Sequence, residues 1–298
     1  MSVQYSGTTI INTTLTQSTG TRLELCDWIK GQLTAAGWTV AAGSSGNWRL
    51  NSLTTPSGLN MAVNPLDPGS GNCTQVKVMN QSQSHSQSGA HFLLPAVSKQ
   101  WRCIASGYQF AVFTPGASAV REFLFAGVPY LPAGSGVTEA IHSHSNATTD
   151  VDSVAKLSFR TSPQTSTNGT VQNGQQFCVL NGIAYEQNNV SGGGSGNIHL
   201  VARFASAPDT WGNVQCSASR WYNNDFFADE PLIAWSTTSD HSGEGKVIGQ
   251  LWDAVVFSGM WSYDVLRGYD GHNYFSLMGA NNGVDSYQPR CGLFLVVP

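Results

Sequence analysis

Charged side chains are scarce in this sequence. Asp, Glu, Lys and Arg together make 11% of its 298 residues, against about 25% in ordinary soluble domains. The 14 Lys and Arg residues form no cluster, so the chain lacks the positive patch that neutralises phosphates, and no nucleic-acid partner is expected. Long apolar runs are lacking too. None approaches the ~18 residues of a membrane span, and the closing run 293–297 is far shorter, so membrane insertion is not expected. The opening residues Met1, Ser2, Val3, Gln4 and Tyr5 show neither the basic nor the apolar region of a signal peptide, which predicts synthesis in a cytosol. Metal-type cysteine pairs are missing as well. Cys26, Cys73, Cys103, Cys178, Cys216 and Cys291 stand at wide, irregular spacings with no CxxC, which removes the signature of zinc and redox sites. Buried thiols acting as small hydrophobes are the expectation, with disulfides open if the protein ends outside a cell.

Uncharged polar residues and glycine fill the space that charge leaves. Ser, Thr, Asn and Gln are abundant, with 32 Gly, nine Trp and 13 Phe. Few long charged side chains disfavour helices, whereas β-branched and aromatic residues favour pleated surfaces and Gly and Asn supply turns. The composition predicts a mainly β fold, and its aromatic content can offset the ordering entropy that keeps polar chains disordered.

One helix is legible. Thr21 and Glu24 stand three apart, as in a capping box. Leu25, Trp28, Ile29, Leu33 and Ala36 follow at spacings of three and four, which puts them on one face, with Leu25, Trp28 and Leu33 as its anchors. Gly37 falls where a left-handed cap would end the helix. The period then changes to two at Trp38 and Val40, and after a turn at 43–46 it resumes at Trp48 and Leu50. A turn at Pro56, Ser57 and Gly58 leads to Leu59, Met61 and Val63, as in an antiparallel meander. Pro65, Pro68 and Gly69 to Gly71 suggest a boundary. The expected organisation is a small α/β element over residues 1–70 with one amphipathic helix, followed by a β-sandwich-like domain over 71–298. Strand candidates of that domain are 108–113, 123–125, 156–160, 177–180, 198–204, 232–235, 251–257 and 293–297. Stretches 80–89, 161–176 and 187–197 are long polar loops, expected to order against neighbouring subunits. No period of 20–50 residues is visible, which argues against a solenoid or propeller.

Several constellations could carry chemistry. His142 and His144 would share one face of a strand, with Asp150 and Asp152 nearby. A metal needs further ligands, and a solvated polar loop is the favoured reading. Asp240, His241 and Glu244 cluster beyond Ser239, but the nucleophile elbow GxSxG is missing. Neither 134–136 nor 191–196 has the Lys of a phosphate-binding loop. Asp225, Asp229 and Glu230 lie beside Trp221, Tyr222, Phe226 and Phe227, a pairing that suits sugar binding or a glycosidase; an aromatic core strand followed by a polar turn is favoured. Sequons such as Asn146-Ala147-Thr148 arise by chance in so Asn-rich a chain.

Three regions taken together resemble a loose family of tailed-phage virion proteins of the tail, baseplate or neck. They are the opening helix running into AAGWTV at 35–40; GYQFAVFTP at 107–115 with FLFAGVPYLP at 123–132; and PLIAWS at 231–236 with IGQLWDAVV at 248–256 and YDGHNYFSL at 269–277. Stretches 80–89 and 192–194 have no counterpart in it. The resemblance implies a β-hairpin end to a sheet, with Tyr269, Asp270, Gly271 and His272 forming its turn and His272 a turn residue. It implies no cofactor and no enzyme activity, so no catalytic, cofactor-binding or metal-binding residue is assigned. The expected role is a structural subunit of the virion, partnered by copies of itself and other virion proteins. One alternative is a peripheral receptor- or carbohydrate-binding module, with Trp211, Trp221, Tyr222 and Trp235 as its platform for a host-surface glycan. The other is a secreted polysaccharide or cell-wall hydrolase.

Overall fold

The computed structural model describes residues 3–18, 22–42, 51–66, 75–80, 90–93, 100–115, 123–134, 138, 140–145, 175–180, 183–186, 198–202, 228–229, 231–235, 246–258, 264, 266–277 and 291–298. The fold is mainly β, with one N-terminal helix packed against strands. Its described strands form four sheets, and neighbouring strands within each run antiparallel.

The helix α1 spans Arg22–Ala35. Glu24 accepts hydrogen bonds from the Ser18 N–H and hydroxyl at 3.3 and 3.1 Å, while Thr21 lies outside the described residues. Leu25, Ile29 and Leu33 are buried on one face, with Trp28 packed partly buried beside them. The end is a Schellman cap. Gly37, at φ 96°, donates to Thr34 O, and Trp38 N–H donates to Leu33 O, both at 3.0 Å. The cap aims the Trp38 indole inward, where Nε1 donates to Ser106 O at 2.6 Å.

From this cap the chain enters a meander that was expected over 38–63 and that runs on to residue 93: β2 (Thr39–Ala42), β3 (Asn51–Thr54), β4 (Asn60–Leu66), β5 (Gln75–Asn80) and β6 (Ala90–Leu93), each paired with the next. Gly58, at φ 84°, closes the turn between β3 and β4 by donating to Thr55 O at 2.8 Å. The 43–46 turn, Trp48, Leu50 and the Pro68–Gly71 boundary region lie outside the described residues. Sheet pairing runs across residue 70, since Asn64 of β4 faces Lys77 of β5.

The largest sheet has seven strands: β1 (Ile11–Thr16), β7 (Gln100–Ala105), β8 (Gln109–Phe113), β9 (Phe123–Gly127), β10 (Ala140–Ser145), β11 (Gln175–Leu180) and β12 (Ile183–Glu186), in that order. The N-terminal strand thus closes onto β7, with Ile11 opposite Ala105 and Thr16 opposite Gln100. Its middle is buried on both faces. All five residues of β8 are buried, and alternate positions serve different partners. Phe110 and Val112 join Trp101, Cys103, Leu124, Ala126 and Ile141 in the core shared with α1 and the meander. Phe113 points the other way and stacks on Phe275 with ring centroids 6.0 Å apart, beside the Arg102 guanidinium 3.8 Å over the same ring. Gly127 lets β9 approach β8 closely: a Cβ there would sit 2.4 Å from Tyr108 O.

Phe275 belongs to a five-stranded C-terminal sheet ordered β14 (Ala228–Asp229), β17 (Ala254–Ser258), β20 (Cys291–Val297), β19 (His272–Ser276) and β18 (Leu266–Tyr269). Its other face buries Val255, Tyr274, Phe294 and Val296 under Val3, Tyr5 and Ile10 of the N-terminal segment. A three-stranded sheet of β13 (Ile198–Ala202), β15 (Pro231–Trp235) and β16 (Lys246–Gln250) is tied to the end of β9 by paired hydrogen bonds between Tyr130 and Gln250, at 2.8 and 2.9 Å.

Two expectations are corrected. The polar loop read at 141–145 is strand β10, hydrogen-bonded between β9 and β11; its polar residues lie inside the ladder. The single strand expected over 251–257 is broken, because Asp253 adopts φ 49° and only 254–258 forms β17. The candidate at 156–160 lies outside the described residues.

The double burial of β8 predicts a steep cost for truncation. Phe113→Ala should lower unfolding free energy by about 3–5 kcal/mol, whereas Leu266→Ala, at an exposed position, should change it by no more than about 0.5 kcal/mol. Urea denaturation of the two variants measures the contrast.

Candidate functional site

The described residue pattern most suited to function is the hairpin that ends the C-terminal sheet. Asp270 and Gly271 take φ 46° and 75° between the last paired residues, Tyr269 and His272. Positive φ at both central positions is the type I′ signature, and Asp-Gly is a sequence that adopts it readily. His272 is exposed at the turn, as the resemblance implied, and its Nδ1 lies 2.9 Å from Asp270 O.

The N-terminal segment crosses over this hairpin. Tyr5 stacks on His272 with centroids 4.1 Å apart and planes 16° from parallel. Its hydroxyl shares a hydrogen bond of 2.6 Å with Tyr274, a residue 269 positions away. Burial raises both phenols above the usual value of 10.0. For Tyr274 the bond to Tyr5 adds to the rise, and for Tyr5 the same bond acts in the opposite sense. Both therefore stay neutral at physiological pH, so this cluster supplies a packed aromatic surface and no phenolate base. Tyr269 lies 6.2 Å from Tyr274 and remains 41% exposed, and Leu266, at the start of β18, is 60% exposed. Among the described strands, β18 pairs with β19 on one side and is the outermost of its sheet. Apolar side chains at a sheet edge are the setting of strand addition.

Most residues singled out by their chemistry lie elsewhere. His142 stands opposite Gly127 and Cys178, and His144 opposite Phe125 and Gln176, within the large sheet. Asp229 is on β14 opposite Val256. Trp235 ends β15 between Ile198 and Lys246. Asp150, Asp152, Trp211, Trp221, Tyr222, Asp225, Phe226, Phe227, Glu230, Asp240, His241 and Glu244 lie outside the described residues, as do 81–89 and 187–197. Among the described residues no three His, Cys, Asp or Glu side chains gather as metal ligands. Cys26 and Cys103 are buried, and burial pushes the Cys103 thiol well above its ordinary value, away from reactivity. No described helix is long and apolar enough to cross a membrane. Tyr5 and Leu266 escaped the sequence reading. Tyr5 sits in a polar stretch whose partner is at the far end of the chain, and Leu266 is one apolar residue with no periodic company.

No protein-family model matches the chain, and no curated protein matches it.

The raised phenols set an alkaline limit. Their ionisation is disfavoured in the folded state, so their contribution is intact below pH 10 and is lost as pH rises through the folded values. Tyr274→Phe should cost about 1 kcal/mol at neutral pH and should make the fall in melting temperature above about pH 10 shallower than in the wild type. Equal slopes would contradict the buried pair.

Proposed function

We propose that this protein is a structural subunit of a tailed-phage virion, in the tail, baseplate or neck, acting through contacts with neighbouring subunits and not through catalysis. The observation that carries this reading is the outer edge of β18, where Leu266 and Tyr269 are the exposed large hydrophobic side chains of the described surface. Exposed apolar side chains at a sheet edge suit the addition of a strand from a neighbouring subunit. Composition supports the same reading. At 11% charged residues, identical copies repel one another weakly, and abundant Ser, Thr, Asn and Gln can supply neutral hydrogen bonds across an interface. The resemblance in the helix, in GYQFAVFTP and in the C-terminal stretches points the same way. The partners are copies of the chain and other virion proteins, met after synthesis in the host cytoplasm.

The occupant of the β18 edge in this reading is a strand of a neighbouring subunit. The double variant Leu266→Lys with Tyr269→Ser should fold with the wild-type spectrum and melting temperature. Its association, measured by light scattering and by incorporation into particles, should be weaker by about thirtyfold, which is roughly 2 kcal/mol at an interface anchor. Incorporation equal to that of the wild type would overturn the reading.

A further inference from the structure

A second feature lies where the N-terminal segment, the start of β8 and the turn between β16 and β17 meet. Asp253 ties the three together. Its N–H donates to Gln4 O, its carbonyl accepts from Val296 N–H, and its Oδ1 accepts from Ser6 N–H, each at 2.8 Å. Gln109 reaches the same peptide from the other side, its Nε2 donating to Trp252 O, the carbonyl that joins Trp252 to Asp253. Both side chains are buried, with 4% and 3% of their surface exposed. Each keeps one oxygen, Asp253 Oδ2 and Gln109 Oε1, that is buried and has no hydrogen-bond partner.

Those two orphans are both acceptors, and one belongs to a carboxyl group. A buried carboxylate without a counter-charge costs several kcal/mol, and buried acceptors left unmade are rare in folded proteins. Neither atom is exposed at the surface. A hard cation approaches oxygen at about 2.3–2.6 Å, closer than the ~2.8 Å of a water hydrogen bond, and it supplies the missing charge. Trp252 is stacked on Tyr108 at 4.7 Å and meets the edge of Tyr130 at 5.2 Å.

We propose that Asp253 Oδ2 and Gln109 Oε1 are the side-chain ligands of a buried site for a hard metal cation of the calcium type, which fastens the N-terminal segment to the sheets. One carboxylate places the affinity in the weak range, at a dissociation constant of about 0.1–1 mM. The site is independent of the docking edge on β18 and stands or falls separately from it.

The test uses the full chain, stripped with a chelator and titrated with calcium, magnesium or sodium chloride. Calcium should raise the melting temperature saturably, by about 3–6 °C once it exceeds its dissociation constant tenfold. Terbium in its place should give saturable luminescence sensitised by Trp252. Asp253→Asn should abolish both responses and melt in chelator no lower than the wild type, since its amide supplies a donor where the second carboxylate oxygen stood. Gln109→Glu adds a second charged ligand; it should lower the stripped melting temperature and bring calcium half-saturation to a severalfold lower concentration, which keeps the proposal testable if the Asp253 variant fails to fold. Melting that is indifferent to calcium in the wild type and in Gln109→Glu would overturn it. So would a response that survives in Asp253→Asn, or stability that follows pH alone, the sign of a proton shared between the two side chains.

Discussion

The packing of β7 and β8 between two apolar layers is the constraint on which the other parts of the fold depend. Cys103, Phe110 and Val112 face α1 and the meander, and Ile104, Ala111 and Phe113 face the C-terminal sheet, all of them at most 2% exposed. A strand with no solvent face is apolar along most of its length, and Phe110–Phe113 of β8 reads FAVF, after a buried Gln109 that donates to Trp252 O. It cannot fold as an isolated hairpin, because each face needs a partner that the chain supplies only at a distance. The helix, the β2–β6 meander and the β17–β20 ladder therefore gain their stability by covering this pair, at about 25 cal/mol for each Å² of apolar surface removed from water.

The covering layers are held in place by polar contacts that are mostly neutral. Thr13 donates to Gln32, the Trp101 indole to Gln17, and Trp38 to Ser106 O. Arg102 has a neutral partner as well, donating through Nε to Asn12 Oδ1. These contacts among the described residues join amides, hydroxyls and carbonyls, which avoid the desolvation cost of a buried ion pair. The closure is long-range. Ser6 meets Asp253 across 247 positions and Tyr5 meets Tyr274 across 269, so the two ends of the chain are packed together, and a change at residue 5 is felt at the C-terminal hairpin.

What the sequence reveals follows from how local each cause is. The helix was legible because its apolar spacing and Gly37 act within a few residues, and the Schellman bonds fall where that glycine put them. Strands β8 and β20 were legible as unbroken apolar runs, and the β18–β19 turn as Asp-Gly. The strand character of AIHSHS was hidden, because polar residues between β9 and β11 carry no alternation to read. The break at Asp253 was hidden too, since a positive φ at a non-glycine residue is imposed by Gln4, Ser6 and Val296, none of them a sequence neighbour. The docking edge and the paired buried oxygens belong to the same class: they exist through contacts between distant segments.

Native-state hydrogen exchange tests the doubly buried pair most directly. Amides of 103–105 and 110–113 should be the slowest in the molecule and should exchange only through global unfolding, with protection that falls in step with denaturant. Amides of 266–269 should exchange orders of magnitude faster. Exchange at 110–113 as quick as at 266–269 would contradict a fold organised around β7 and β8.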